Sequence, residues 1–202
     1  MSQDNTRTKL LAAAEHIVVQ EGLRALTVRR VGQVASLNPT LITYHFGTVT
    51  HMLEQLYEEN LAPLLDGWAM IDQAESGDED SLARLLDAWL RPMFAPAAFN
   101  PDGRALIVMD EIAAHGEREM SGRLIEEMGK VAHRLDARIA PLLPHLSAGE
   151  RMARLRFLAG AALGPPPRTR GSGITPDGSD HARLLRFALA ALRDREACPA
   201  PA

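Results

Sequence analysis

The sequence predicts an all-α fold with about nine helices, and three observations lead to this prediction. Apolar residues recur at intervals of three and four residues through most of the chain, which is the spacing of one helix face. The strict alternation of apolar and polar residues that marks a half-buried strand is absent from the sequence. Glycine and proline mostly fall between the periodic runs, where they separate one helix from the next.

Composition and length narrow the class of protein. The 202 residues are 46% hydrophobic and 24% charged, which is ordinary for a globular chain of one or two domains. No apolar run is long enough to span a membrane, and the N-terminus has no apolar signal segment. The single cysteine, Cys198, excludes an internal disulfide, so we expect a cytoplasmic protein. Residues 1–46 carry a formal charge of +2 and the remainder −6, which favours phosphate contact by the N-terminal part only.

The N-terminal helices are predicted from their capping residues. The first helix covers about residues 5–20, and Gly22 follows as a left-handed C-cap. Thr27 caps a second helix over residues 28–35. A third helix begins with Asn38 as its N-cap and Pro39 at its first position, where the missing N–H costs nothing.

The rest of the chain continues in the helical pattern. Thr48 caps a long fourth helix with an apolar stripe from Met52 to Ile71, which Pro63 should kink or end. Further helices are predicted at about residues 79–91, 102–115, 117–142, 147–163 and 180–195. The segment 164–178, rich in Pro and Gly, is predicted to be a mobile loop, and residues 197–202 a disordered tail.

The second and third helices are too short to be stable alone, but their length suits insertion into DNA. Residues 39–46 span about 12 Å, close to the width of the major groove. Two short helices joined by a tight turn, here residues 27–46, are typical of the helix-turn-helix unit. The first and fourth helices would supply the buried surface that the two short helices lack.

The segment TRTKLLAAAEHIVVQEGLRALTVRRVGQVASLNPTLITYHFGTVTHML resembles the N-terminal domain of TetR/AcrR-type transcriptional regulators. This resemblance implies a homodimeric regulator with a DNA-binding domain at residues 1–50 and a larger helical ligand-binding and dimerisation domain at 51–196. The chain departs from the family pattern at four positions. Gly32 replaces an alanine, Ser36 a glycine, Thr43 a frequent tyrosine, and Val49 a lysine that contacts phosphate.

Ten residues are candidate DNA contacts. They are Thr27, Arg29, Arg30, Pro39, Thr40, Leu41, Thr43, Tyr44, His45 and Thr48. Threonines on the third helix can contact base edges or a thymine methyl group, while tyrosine, histidine and arginine reach phosphates. The alternatives are a solvated helix face and, for His45, a packed ring bonded to the backbone.

Methionine and aromatic residues are the candidates for an apolar ligand pocket, because methionine adapts to varied shapes. The candidate set is Trp68, Trp89, Met93, Phe94, Met109, His115, Met120 and Met128. The alternative is that these side chains form the core. Glu111 and His115 share one helix face, but no third ligand lies at useful spacing, so we expect neither metal nor cofactor.

The last two predicted helices are candidates for a four-helix bundle with a second copy of the chain, and the alternative is an intrachain face. The predicted dimer residues are Leu155, Leu158, Ala159, Ala162, Leu184, Leu185, Ala188 and Leu192.

These observations predict a ligand-responsive transcriptional regulator, and we expect a repressor released from a near-palindromic double-stranded operator by a small apolar or amphipathic ligand. The alternative is an all-helical small-molecule binding or sequestering protein with a weakened DNA module, which Ser36 and Val49 favour. We expect no enzymatic activity, because the sequence has no Gly-rich phosphate loop, nucleophile elbow or acid–base constellation.

Overall fold

The computed structural model describes residues 3–75, 77–78, 80–164 and 178–195. Over these ranges the chain is all-α, as predicted, and carries no strand beyond one isolated bridge between Pro96 and Arg104. The α-helices are α1 (Gln3–Glu21), α2 (Val28–Ala35), α3 (Thr40–Phe46), α4 (Val49–Trp68), α5 (Met70–Gln73), α6 (Ser81–Leu90), α7 (Ala105–His115), α8 (Arg118–Ile139), α9 (Ala148–Leu163) and α10 (Gly178–Arg193). Short 3-10 turns occupy Leu23–Ala25, Arg91–Phe94 and Ala140–Leu142.

The predicted helices agree with the observed ones to within about three residues at each end, since helix ends fray. The four-residue α5 follows α4 after Ala69, so nine longer helices remain over the described ranges. No described helix is long and apolar enough to cross a membrane. The predicted tail at 197–202 and most of the predicted mobile loop, residues 165–177, lie outside the described residues.

The N-terminal helices form a small core. α1 packs on α2, and α3 packs on α4. Val31 of α2 and Ile42 of α3 are fully buried, as are Leu10 and Ile17 of α1. The caps are as predicted for α2 and α4. α3 starts one residue later than predicted, at Thr40, whose N–H donates to Asn38 Oδ1 at 3.0 Å.

The turn between α2 and α3 explains two departures from the family pattern. Ser36 adopts the left-handed conformation (φ 53°, ψ 41°) at the position where the family usually has glycine. Gly32 is buried, and a Cβ at this residue would lie 2.7 Å from Pro39 Cγ. The missing side chain of Gly32 therefore lets Pro39 pack directly on α2, and an alanine there would push the start of α3 away.

The structure corrects one backbone prediction and excludes one alternative of another. Gly22 has the expected positive φ of 84°, but its ψ of 161° is extended and not left-handed helical. The extended ψ directs the chain into the 3-10 turn Leu23–Ala25. Pro63 was predicted to kink α4 or to end it, and it does not end it, since α4 continues to Trp68.

The core of the remaining helices is larger and is continuous with that of the N-terminal helices. α4 packs on α7, α7 on α8, α8 on α9, and α10 on both α6 and α9. Trp68 lies at the centre of this core and donates its indole N–H to the carbonyl of Trp89 at 2.8 Å. A Cβ at Gly67 would lie 2.7 Å from Pro92 Cγ, so the end of α4 and the turn Arg91–Phe94 are in close contact.

Candidate functional site

The third helix presents one polar face to solvent. Ile42 and Phe46 are four residues apart and both are buried, which fixes the rotation of α3. That rotation leaves Thr40 and Thr43 exposed and places the Tyr44 side chain at 69% exposure. Of the other predicted contacts on this segment, Pro39 is exposed, whereas Leu41 and His45 are half-buried. The face of α3 that core packing does not use is therefore the face predicted to read DNA.

Two of the predicted DNA contacts are helix caps. The Thr27 hydroxyl accepts from the Arg30 N–H at 3.2 Å, and the Thr48 hydroxyl accepts from the His51 N–H at 3.1 Å. Both threonines are exposed. They mark the N-termini of α2 and α4, where the backbone N–H groups and the helix dipole favour an anion.

The two predicted arginines of α2 differ in their surroundings. Arg30 forms a bidentate ion pair with Glu21, with a shortest distance of 2.6 Å, which raises the pKa of Arg30 and lowers that of Glu21. Arg29 is exposed and has no ion-pair partner in the described ranges. Val49, at the position of the family's lysine, is half-buried against the core. Arg29 is therefore the more available cation on this surface.

A buried carboxylate joins the N-terminal helices to the rest of the chain, and the sequence analysis did not identify it. Glu15 of α1 is fully buried and accepts from the Asn60 side chain and from the Phe99 N–H, both at 2.7 Å. Asn60 in turn accepts from the Ala98 N–H at 3.1 Å. Burial raises the pKa of Glu15, while these hydrogen bonds oppose the rise.

Glu111 makes a second connection of the same kind. Its Oε2 accepts from the Leu23 N–H at 2.9 Å and lies 3.5 Å from His115 Nδ1. Nearby, the Thr50 hydroxyl donates to Glu117 at 3.2 Å. The Glu111–His115 pair thus holds the turn after α1, and no cluster of potential metal ligands occurs among the described residues. The i, i+4 spacing identified this pair, but the backbone N–H that it binds could not be found from sequence.

An open groove of about 1100 Å³ runs between the ends of α4 and α6 and the face of α10. Pro63, Gly67 and Met70 form one wall, and α6 and the turn Arg91–Phe94 form the second. His181 and Leu185 of α10 complete it. The volume fits a small organic ligand, and the groove touches α4, whose first turns contact the N-terminal helices.

Most of the predicted ligand residues lie elsewhere. Only Phe94 of that set lines the groove. Five members of the set are buried in the core: Trp68, Trp89, Met93, Met109 and Met120. Met128 packs partly against the same core, and His115 pairs with Glu111. Methionine and aromatic composition indicated buried surface but not which part of that surface faces a cavity.

Most of the predicted dimer residues also contribute to packing within the chain. Five of them are already buried by contacts within the chain: Leu155, Leu158, Ala162, Ala188 and Leu192. Ala159 and Leu184 are half-buried, and Leu185 lines the groove. The large exposed apolar side chains in the described parts of α9 and α10 are Phe157 and Phe187, at 68% and 63% exposure. The apolar stripe of each helix faces its own core, and the aromatic residues lie on the opposite side.

The fold is that of TetR-family transcriptional regulators. Over 94% of this chain and 99% of the other, it is similar to the TetR family transcriptional regulator PfmR from Thermus thermophilus, with 18% identity and a TM-score of 0.62. A putative TetR-family transcriptional regulator from Rhodococcus sp. is similar over 93% and 99% of the two chains, with 19% identity and a TM-score of 0.54. No protein-family model and no curated protein matches the sequence.

Proposed function

We propose that the chain is a ligand-responsive, DNA-binding transcriptional regulator that acts as a homodimer. In this proposal residues 1–50 form the DNA-binding domain, and residues 51–196 form the ligand-binding and dimerisation domain. One observation carries the proposal: α3 is anchored by Ile42 and Phe46 and exposes an uninterrupted polar face. A helix held only along its inner side by a small scaffold can enter the major groove of DNA.

Base contacts come from the exposed face of α3. Thr40 and Thr43 offer a hydroxyl for base edges and a methyl group for thymine. Tyr44 is at the same side and extends far enough to reach a phosphate. Pro39 and the half-buried Leu41 and His45 border this face and complete the predicted contact set.

Phosphate contacts surround this helix and set its register on the duplex. Arg29 supplies a cation that no described carboxylate pairs, and the capped ends of α2 and α4 at Thr27 and Thr48 supply N–H groups. Arg30 would have to leave Glu21 to contribute. Since Val49 offers no charge, binding should depend on fewer ion pairs than the family pattern supplies.

The outer face of α9 and α10 is the proposed dimer surface. Its exposed apolar and small residues are Phe157, Gly160, Ala161, Phe187 and Ala190, with the exposed Arg156, Arg183 and Arg186 near them in the chain, and we call it the outer aromatic face. Ala161 and Phe187 line a shared cavity of about 360 Å³, which brings the two helices' exposed sides together. Large exposed aromatic rings beside small residues favour close helix packing against a second copy. A dimer would space two α3 helices about 34 Å apart, one turn of DNA.

Ligand binding in the groove would act on DNA binding through α4. A ligand there contacts Pro63 and Gly67, while the first part of the same helix packs on α1 and α3. A ligand that binds one position of α4 more tightly than the other shifts the distance between the two recognition helices. We expect release from the operator, as in a repressor.

The alternative function is a small-molecule binding or sequestering protein whose DNA module is weakened. The half-buried Val49 favours it, because the first residue of α4 then has no charged side chain to bind phosphate. The two functions share the groove and differ in whether α3 binds DNA.

Selection of DNA fragments from the source genome by the purified protein distinguishes the two. A regulator enriches a few fragments that share a near-palindromic motif, and enrichment falls steeply as salt rises. The control is the same selection with the Thr43→Ala/Tyr44→Ala double variant. A sequestering protein enriches no shared motif, and the double variant then gives the same fragments as the wild type.

A further inference from the structure

Two buried nitrogen atoms lack a hydrogen-bond partner in the described part of the chain, and both lie beside the same aromatic ring. They are Nε of Arg104 and Nε2 of His181. The Arg104 guanidinium carbon lies 4.5 Å from the centroid of the Phe94 ring, and the His181 ring meets the Phe94 ring edge-on at 5.6 Å. Buried donors without acceptors are costly, so their clustering at one place calls for an acceptor that the chain does not supply.

Arg104 is a buried cation without an ion pair. The residue is only 6% exposed, one terminal nitrogen donates to the Met93 carbonyl, and no carboxylate of the described residues forms an ion pair with it. Burial lowers the pKa of Arg104, and the nearby charge of Asp180 only partly opposes this effect. Asp180 itself pairs with Arg183 at 3.0 Å. A guanidinium remains charged in proteins, so Arg104 keeps a positive charge with no full counter-charge.

His181 lines the groove and also contacts the Phe94 ring. Its Nε2 lies 3.1 Å from Asp87 Oδ1 but forms no hydrogen bond with it. Asp87 is already engaged by Arg91 through two nitrogens, with a shortest distance of 2.6 Å. The other arginine of the groove, Arg84, pairs with Asp78. Arg84 and Arg91, the arginines that line the groove, are therefore each paired with a carboxylate. Arg104, which lies behind the Phe94 ring, has no such pair among the described residues.

We propose that the ligand of the groove is an amphipathic anion, whose carboxylate-like or sulfonate-like group binds Arg104 and His181 while its apolar body lies along α4 and α6. This inference rests on the ligand groove of the proposed function. The Phe94 ring covers Arg104 and must turn aside for the anion to reach it. Phe94 lines both the groove and the 360 Å³ cavity next to it, so space is present on both sides of the ring.

The physical reason for an anion is the geometry of the guanidinium. Its planar array of N–H groups matches two oxygens of one anionic group, and charge-assisted hydrogen bonds are strong where water is excluded. A neutral ligand with an oxygen acceptor could accept hydrogen bonds from these nitrogens but would not neutralise the charge of Arg104. The apolar wall that Pro63, Met70 and Leu185 contribute suits the rest of an amphipathic molecule.

Two fluorescent dyes that share one aromatic body provide the test: anilinonaphthalene sulfonate, which is anionic, and N-phenylnaphthylamine, which lacks the sulfonate. Both are titrated into the full chain without DNA, so that the result does not depend on whether the protein binds an operator. We expect the wild type to prefer the anionic dye. Arg104→Met should weaken its affinity about tenfold and leave the neutral dye within about twofold, as expected for loss of one charge-assisted contact.

The matched control is Arg84→Met, which removes a cation of the same groove that Asp78 already pairs. It should change neither dye's affinity by more than about twofold. Phe94→Ala provides a second variant that does not touch the cation, and it should raise affinity for the anionic dye because Arg104 is uncovered. The proposal is overturned if the wild type binds the anionic dye no more tightly than the neutral one, or if Arg104→Met weakens both dyes equally.

Discussion

The N-terminal helices α1 to α3 and the body, which is the rest of the helices, have similar apolar patterns. The sequence nevertheless predicts which side chains are buried and which are exposed better in the N-terminal helices than in the body. In the N-terminal part, caps and turn residues fix where each short helix begins and how it is rotated. Thr27 and Thr48 cap the helices that they were predicted to cap, and Ile42 and Phe46 face inward. In the body each helix has several apolar neighbours, so an apolar stripe does not reveal which neighbour it meets. Local chemistry therefore determines the N-terminal part, and tertiary packing determines the body.

The largest expected effect concerns the contact that joins the two regions. Glu15→Ala leaves the Asn60 amide and the Phe99 N–H buried without an acceptor, so the free energy of unfolding should fall by about 2–4 kcal/mol in urea titrations. Glu15→Gln keeps one acceptor and should lose less. Glu21→Ala removes an exposed ion pair and should change stability little. A Glu15→Ala variant as stable as Glu21→Ala would show that the two regions are held together elsewhere.

The next effect concerns the body alone. Phe157→Arg and Phe187→Arg each place a charge on the outer aromatic face, where a desolvated partner surface could not accommodate it. We expect sedimentation to show monomers, with the dimer dissociation constant raised by about a hundredfold or more. Ile125→Arg alters an exposed apolar residue on α8 and should leave the dimer intact. Dimers in both phenylalanine variants would place the interface on another face.

How far the sequence predicts the structure follows from this contrast. The helix order, the caps and the α3 face were predictable because each depends on residues close together in the chain. The ligand and dimer sets stay predictions, since Trp68, Met109 and Leu158 satisfy the periodicity of a site and of a core equally well. Glu15 was missed because its acceptor role depends on Phe99, 84 residues away in the chain. The sequence signal that could have identified Glu15 is its position as a carboxylate within an apolar run.

A smaller effect separates the two arginines of α2. Arg29→Ala should weaken binding of a selected DNA fragment and reduce the slope of log affinity against log salt by about one. Arg30→Ala should change the slope less, because Arg30 is already paired with Glu21. Gel-shift titrations at several salt concentrations provide the comparison. Equal slopes for the two variants would mean that the Glu21 pair opens when DNA binds.

The smallest expected effect is a dependence of the free energy of unfolding on pH that arises from His181 in the body. Burial lowers the pKa of His181 below its ordinary value of 6.5, despite Asp87, and Arg91 adds to the shift. At a pH between the lowered pKa of the folded chain and 6.5, the unfolded chain binds more protons than the folded one. The free energy of unfolding therefore falls as the pH falls below 6.5. His181→Phe should lose less stability than the wild type between neutral and mildly acidic pH in urea titrations. An identical pH dependence in both proteins would exclude His181 as a contributor.

The affinity of α3 variants for a selected genomic fragment tests the central claim most directly. Thr43→Ala and Tyr44→Ala change the exposed face alone, so each should weaken binding by about 1–3 kcal/mol at moderate salt while circular dichroism and sedimentation stay as in the wild type. Ile125→Ala, which removes a similarly exposed apolar side chain on α8, should bind as tightly as the wild type. Wild-type affinity in both α3 variants would contradict the assignment of α3 as the helix that reads DNA.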